Sequence, residues 1–200
     1  MKKIFPAIGI LVFFGIYFFS STLYPGGTQI DSTTVGFSWF QNYWCDLMET
    51  EAYNGESNPA QPYALAAMIM LCVSLSVFFY KFPKYFYISP FWNRLIVIFG
   101  IGSMIAAVLV ASPLHNSMIA VASILGLFAL IGIIYGVIKH KLRWFTVVAV
   151  ICMLLIGFNN YSYYSREFVY WLPLLQKISF AVILGWLFFL NLRFLKIDNS

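Results

Sequence analysis

The chain has 200 residues, 62% of them hydrophobic and only 10% charged, with a formal net charge of +5. A water-soluble domain carries about 25% charged residues, because its surface must be solvated, so this composition excludes one. It also argues against a nucleic-acid partner. The basic residues stand in short segments beside long apolar runs, where they orient membrane spans rather than form a basic face.

The first apolar run, Ile4–Tyr24, follows Met1-Lys2-Lys3 and is as long as the roughly 20 residues a bilayer-crossing helix needs. It ends in Phe18-Phe19-Ser20-Ser21-Thr22-Leu23-Tyr24, with no small-x-small cleavage site, so it is predicted to be an uncleaved first helix. A loop over 25–62 comes next. It has no Lys or Arg but carries Asp31, Asp46, Glu49, Glu51 and Glu56. Pro25-Gly26-Gly27 predicts the turn out of helix one, and Asn58-Pro59 and Gln61-Pro62 stiffen the approach to helix two. Within the loop, Phe37, Phe40, Trp44, Leu47 and Met48 recur at three- and four-residue spacing, which predicts a short amphipathic helix. Its aromatic content suits the headgroup layer, so the loop is expected to fold as an aromatic cap over the bundle.

Five further apolar runs follow: 63–80, 95–112, 118–138, 144–160 and 171–194. With the first they predict an all-α integral membrane protein of six transmembrane helices in one domain spanning 1–200. Lipid requires each backbone amide to be satisfied within its own segment, and the alternation of a β-barrel is absent. Lys2 and Lys3, Lys81, Lys84 and Arg94, Lys139, Lys141 and Arg143, and Arg193 and Lys196 all fall on one side of a six-span topology. Only Arg166 and Lys177 fall on the other, so the positive-inside rule puts both termini in the cytoplasm and the loop outside. Gly132-x-x-x-Gly136 and the small residues Gly100, Gly102, Ser103, Ala106 and Ala107 are read as helix-packing positions. The three cysteines make no disulfide framework.

Polar residues near the outer face are the candidates for function. Asp46 lies in the loop, and His115 and Asn116 in the turn before the fourth helix. Asn159 and Asn160 end the fifth, and Lys177 sits about two turns into the sixth. A charge inside a span is costly and needs a partner, a cavity or the interface; Lys177 either snorkels outward or pairs with Asp46 or Glu167 beneath the cap. His115 could act as a base or metal ligand, since it titrates near neutral pH. A hydrolytic zinc site needs three protein ligands, and the sequence leaves open any metal or cofactor. The G-x-S-x-G, H-E-x-x-H, Walker and C-x-x-C patterns are all missing.

Tyr24-Pro25-Gly26-Gly27, Trp44-Cys45-Asp46-Leu47, Asn58-Pro59 and Leu114-His115-Asn116 together resemble motifs of the bacterial membrane-protein family called domain of unknown function 998 (DUF998). The resemblance covers nearly the whole chain. It implies a similar helix count, draws attention to Asp46, Asn58 and His115, and implies no activity. The expected protein is therefore an inner-membrane six-helix bundle with a polar pocket at headgroup level. Trp44, Asn58, Asn116, Asn159 and Lys177 would serve binding of a membrane lipid or small amphiphile. Alternatively the chain is an accessory subunit with a membrane-protein partner or a second copy of itself. Two other readings are an intramembrane hydrolase, metal-dependent or not, using Asp46 and His115 as catalytic residues, and a small-solute transporter.

Overall fold

The computed structural model describes residues 4–112 and 114–197, apart from the side chains of Asn116 and of 194–197. Apolar sequence and helix-starting prolines account for the elements. Pro6, Pro62 and Pro90 occupy first-turn positions, where a missing N–H costs nothing and the fixed φ suits a helix. The helices are α1 (Phe5–Leu23), α2 (Gln61–Phe86), α3 (Pro90–Val108), α4 (His115–Lys139), α5 (Arg143–Ser165) and α6 (Leu172–Ile197). Each includes a stretch long and apolar enough to cross a membrane, so the protein is a multi-pass, all-α membrane bundle. Among the described residues there is no named strand, only two isolated bridges inside the cap.

Some boundaries differ from those expected. Helix α2 continues past Tyr80 to Phe86 and takes Lys81 and Lys84 with it. Lys84 Nζ sits 4.1 Å from the centre of the Tyr80 ring, so its charge is accommodated on the helix surface. Helix α5 continues past Asn160 to Ser165; the Asn159 and Asn160 side chains donate to the carbonyls of Leu155 and Ile156, which keeps both amides satisfied within the helix.

Helix α2 is the hub, touching α1, α3, α4 and α6. The α3–α4 hairpin lies against it on one flank, and α6 packs on α1 at the other. Helix α5 is held chiefly by α6, through Trp186 Nε1 donating to the Phe145 carbonyl (3.0 Å) and Asn159 Nδ2 donating to Ser179 Oγ (2.6 Å). At the end of the bundle away from the cap, Asn191 Oδ1 accepts from Ala7 N, an amide in the first turn of α1 that has no partner of its own within the helix. His140 Nε2 bonds the Phe86 carbonyl and Lys139 Nζ the Tyr87 carbonyl, closing the end of α2, where Tyr87 turns left-handed at φ 40°.

Gly132 and Gly136 both face inward. A Cβ on Gly132 would stand 2.5 Å from Ile96 Cγ1 of α3, and one on Gly136 would stand 3.0 Å from Phe82 Cε1 of α2. The motif serves packing inside one chain. Gly132→Ala is expected to cost about 1–3 kcal/mol by overpacking, with part recovered in Gly132→Ala/Ile96→Ala. Thermal melts read out by size exclusion in detergent would check this; an unchanged melt with an altered oligomeric state would mean that the motif faces another subunit.

Candidate functional site beneath the cap

Residues 24–60 form a compact cap built from turns. The expected amphipathic helix over Phe37–Glu49 does not form: the segment is a chain of turns with a single 3-10 turn, Cys45–Met48. The reason is local competition for backbone N–H groups. Asp46 Oδ2 accepts from Tyr43 N (2.7 Å), a donor that a helix over this segment would have given to the Trp39 carbonyl, and Asn42 Oδ1 accepts from Ser38 N (2.9 Å). Gly26 and Gly27, at φ 149° and 81°, let the chain leave α1 and pair with Thr34 and Gly36; a Cβ on Gly27 would stand 2.4 Å from Asn54 N.

The spacing that suggested a helix reflects burial of alternate faces of the cap. Trp44, only 5% exposed, is pressed down into the bundle. Its indole centre lies 5.3–5.9 Å from the rings of Phe13, Phe14 and Tyr17 of α1 and Phe180 of α6, within the range of favourable aromatic pairs. Leu47 and Met48 are buried beside it, while Phe40 is exposed.

The polar residues form a clamp around this plug. Lys177, 7% exposed, donates to the carbonyl of Asn42 in the cap and to that of Pro173 in its own helix (3.1 Å), with the Phe37 ring 5.4 Å away. Its ammonium acts on Asp46, which is 5% exposed. Asn42 Nδ2 donates to Asp46 Oδ2 (3.2 Å) and to the Gly27 carbonyl (3.0 Å), tying the start of the cap to its middle. Asn58 closes the far end: Nδ2 is shared among the carbonyls of Asp46, Leu47 and Glu49, and Oδ1 accepts from Ala60 N. Gln176 Oε1 accepts from Trp44 N (3.0 Å), a second link between α6 and the cap.

Of the residues singled out from sequence, Trp44, Asp46, Asn58 and Lys177 thus meet in one assembly. Asn159 lies elsewhere, on the α5–α6 contact, and the Asn116 side chain is outside the described residues. His115 opens α4, and its Nδ1 donates to the Val110 carbonyl (2.8 Å), which holds the α3–α4 corner. No three His, Cys, Asp or Glu side chains among the described residues stand close enough together to hold a metal ion, so a trio of Asp46, His115 and a second carboxylate is not assembled. Glu167 accepts from Tyr161 Oη (2.6 Å) rather than from Lys177. Burial pushes the Cys45 thiol up to about 12, which keeps it a thiol and a poor nucleophile. Sequence reasoning missed Asn42 and Gln176, whose amides look like any surface amide until the cap closes over them.

Above the clamp, where the cap meets the start of α6, a cleft of about 200 Å³ is lined by Gln29, Ile30, Gln41, Tyr43, Val169, Tyr170 and Pro173. It mixes amides and phenols with apolar side chains, and Pro173, whose carbonyl Lys177 holds, forms part of its floor.

Two predictions follow from the clamp itself. Asn58→Ala strands buried carbonyls and should lower stability by about 1–3 kcal/mol, read as a lower melting temperature. For Asp46, burial pushes the carboxyl up to about 6, against the opposing pull of Asn42, the Tyr43 amide and Lys177. The folded protein therefore holds this proton more tightly than the unfolded chain, whose carboxyl titrates at 3.8, so the gain is complete below 3.8 and is lost as pH rises through about 6. Between pH 7 and pH 5 the wild type should gain about 1 kcal/mol relative to Asp46→Asn. Asp31, held below the ordinary carboxylate range by Thr33, titrates in the opposite sense in both proteins and cancels from the comparison. Parallel melting curves for the two proteins across this range would show the Asp46 contribution to be absent. No family model, curated protein or solved structure matches the chain.

Proposed function

We propose that the protein is a bacterial inner-membrane lipid- or amphiphile-binding bundle of the DUF998 type, with both termini in the cytoplasm and the cap outside. The cleft between the cap and α6 carries this reading. It offers hydrogen-bonding amides and phenols beside Ile30 and Val169, at the end of the bundle where the spans emerge, which is the chemistry of a headgroup with its first carbons. The orientation rests on the basic residues: Lys81, Lys84, Arg94, Lys139, Lys141, Arg143 and Arg193 belong to the end opposite the cap.

In this reading Trp44, Asp46, Asn58 and Lys177 build the wall of the site rather than touch the ligand. The clamp keeps the cap seated so that Gln41 and Tyr43 stay opposite Val169 and Tyr170. Lipid carried through purification and counted by native mass spectrometry tests the proposal. Wild type should retain bound lipid, and Val169→Trp, which fills the cleft, should lose most of it while circular dichroism stays unchanged. Bare polypeptide in both spectra would overturn the lipid-binding reading. It would favour an accessory subunit, in which the cap docks on another membrane protein.

A further inference from the structure

The fold divides the aromatic residues of the cap into two sets. Trp44 is pressed into the bundle, Tyr24 is buried, and Phe37 lies half-buried with its ring centre 5.8 Å from that of Tyr24. Trp39 and Phe40 are left outside, Phe40 with 65% of its surface exposed. The Trp39 ring fixes the place of this edge, because its centre lies 5.1 Å from that of Phe18. Phe18 belongs to α1 and stands five residues before Leu23, about 7.5 Å down the helix at 1.5 Å per residue. It shares one exposed face of that span with Ile8, Leu11 and Phe19. Phe19 continues the row in the other direction, its ring centre 5.2 Å from that of Tyr63, an exposed residue in the first turn of α2. Tyr63, Phe19, Phe18 and Trp39 thus form one exposed aromatic row across α2, α1 and the cap, of the kind that lies at a membrane–water interface.

Charge is sorted to match. No charged residue occurs in 4–30, 32–45 or 57–80, the segments that carry this row. Glu49, Glu51 and Glu56, all exposed, fall instead in the turn of the cap that the Glu51–Ser57 bridge closes. Asp31 follows Ile30 of the cleft lining and bonds Thr33, and Asp46 is buried in the clamp.

We propose that Trp39 and Phe40 insert into the headgroup layer of the leaflet at the cap end, so that lipid holds the cap at its α1 edge and Lys177 holds it at its centre. The cap then reaches sideways past α1 into the bilayer surface as well as covering the bundle. Depth carries this placement: a ring packed on a lipid-facing residue of a span lies beside that span, where headgroups and the first chain carbons replace water. An indole, apolar with one N–H donor, suits that layer, and the exposed Phe40 ring loses its contact with water there. A protein partner would have to displace lipid that already surrounds Phe18. The placement needs only that the spans lie in a membrane, and it is independent of what fills the cleft. Gln41 of the cleft lining follows Phe40 directly, so the lipid-held edge and the cleft are consecutive in the chain.

Full-length protein carrying Phe40→Cys or Glu56→Cys, labelled with the fluorophore NBD in phosphatidylcholine vesicles, tests the proposal. Wild type treated in the same way gives the background from Cys45, Cys72 and Cys152. The probe at 40 should emit to the blue of the probe at 56. It should lose most of its intensity to lipid brominated high in its acyl chains and resist aqueous iodide, and the probe at 56 should do the reverse. Native fluorescence gives the same reading without a label. The emission that Trp39→Phe removes, taken by difference from wild type, should be quenched more by that lipid than by lipid brominated near the bilayer centre. Iodide quenching at 40 as strong as at 56 would put this edge in water and overturn the proposal. Protection of the probe at 40 from both quenchers would overturn it too, and would assign Trp39 and Phe40 to contact with another protein or a second copy of the chain.

Discussion

A buried ammonium cannot be left without acceptors, and in this protein that requirement joins the cap to the bundle. Lys177 lies buried near the start of a mostly apolar span, and a bare charge there would cost several kcal/mol. It donates to one carbonyl of its own helix and one from the cap, so the cap cannot lift without stranding the charge. Asp46 stands close by and Asn42 bonds it, which places a carboxylate in the field of the ammonium without an exposed ion pair. Everything else at this end of the molecule depends on that seating. Trp44 can fill the gap between α1 and α6 only because its backbone is held there by Gln176, and the cleft exists only because the cap edge is held against the first turn of α6.

The same economy runs through the bundle. Three polar side chains inside the spans bond across neighbouring helices: Asn159 with Ser179, Trp186 with the Phe145 carbonyl, and Asn191 with the amide of Ala7. Hydrogen bonds of this kind in membranes average about 0.6 kcal/mol, so their role is to select which helices are neighbours more than to supply stability. Close packing supplies the rest, as at Gly132 and Gly136, where α4 comes within backbone reach of Ile96 and Phe82.

The cleft differs from the clamp in being open and partly apolar, and the two divide the work. Residues that look most chemical in the sequence, Asp46 and Lys177, are buried and committed to structure. Residues that look ordinary, Gln41, Tyr43 and Tyr170, line the open cleft. His115 is outside this division, bonded within its own corner.

The sequence by itself determined the class of fold. Six apolar runs of bilayer length admit no other solvent or architecture, because an amide in lipid must be paired inside its own helix. Sequence also marked the cap and most of its clamp, because a lysine within a span and an Asn-Pro step are unusual enough to stand out. Only the tertiary structure decided what those residues do. A three- and four-residue aromatic spacing in 37–48 signals a helix, yet Asp46 captures the Tyr43 amide, and the spacing becomes a plug and an exposed rim. Whether Asp46 meets Lys177 or His115, and whether Gln41 faces Tyr170, are questions of contacts between residues far apart along the chain. Periodicity reports the face a residue occupies on its own element, and the partner across that face is set by packing.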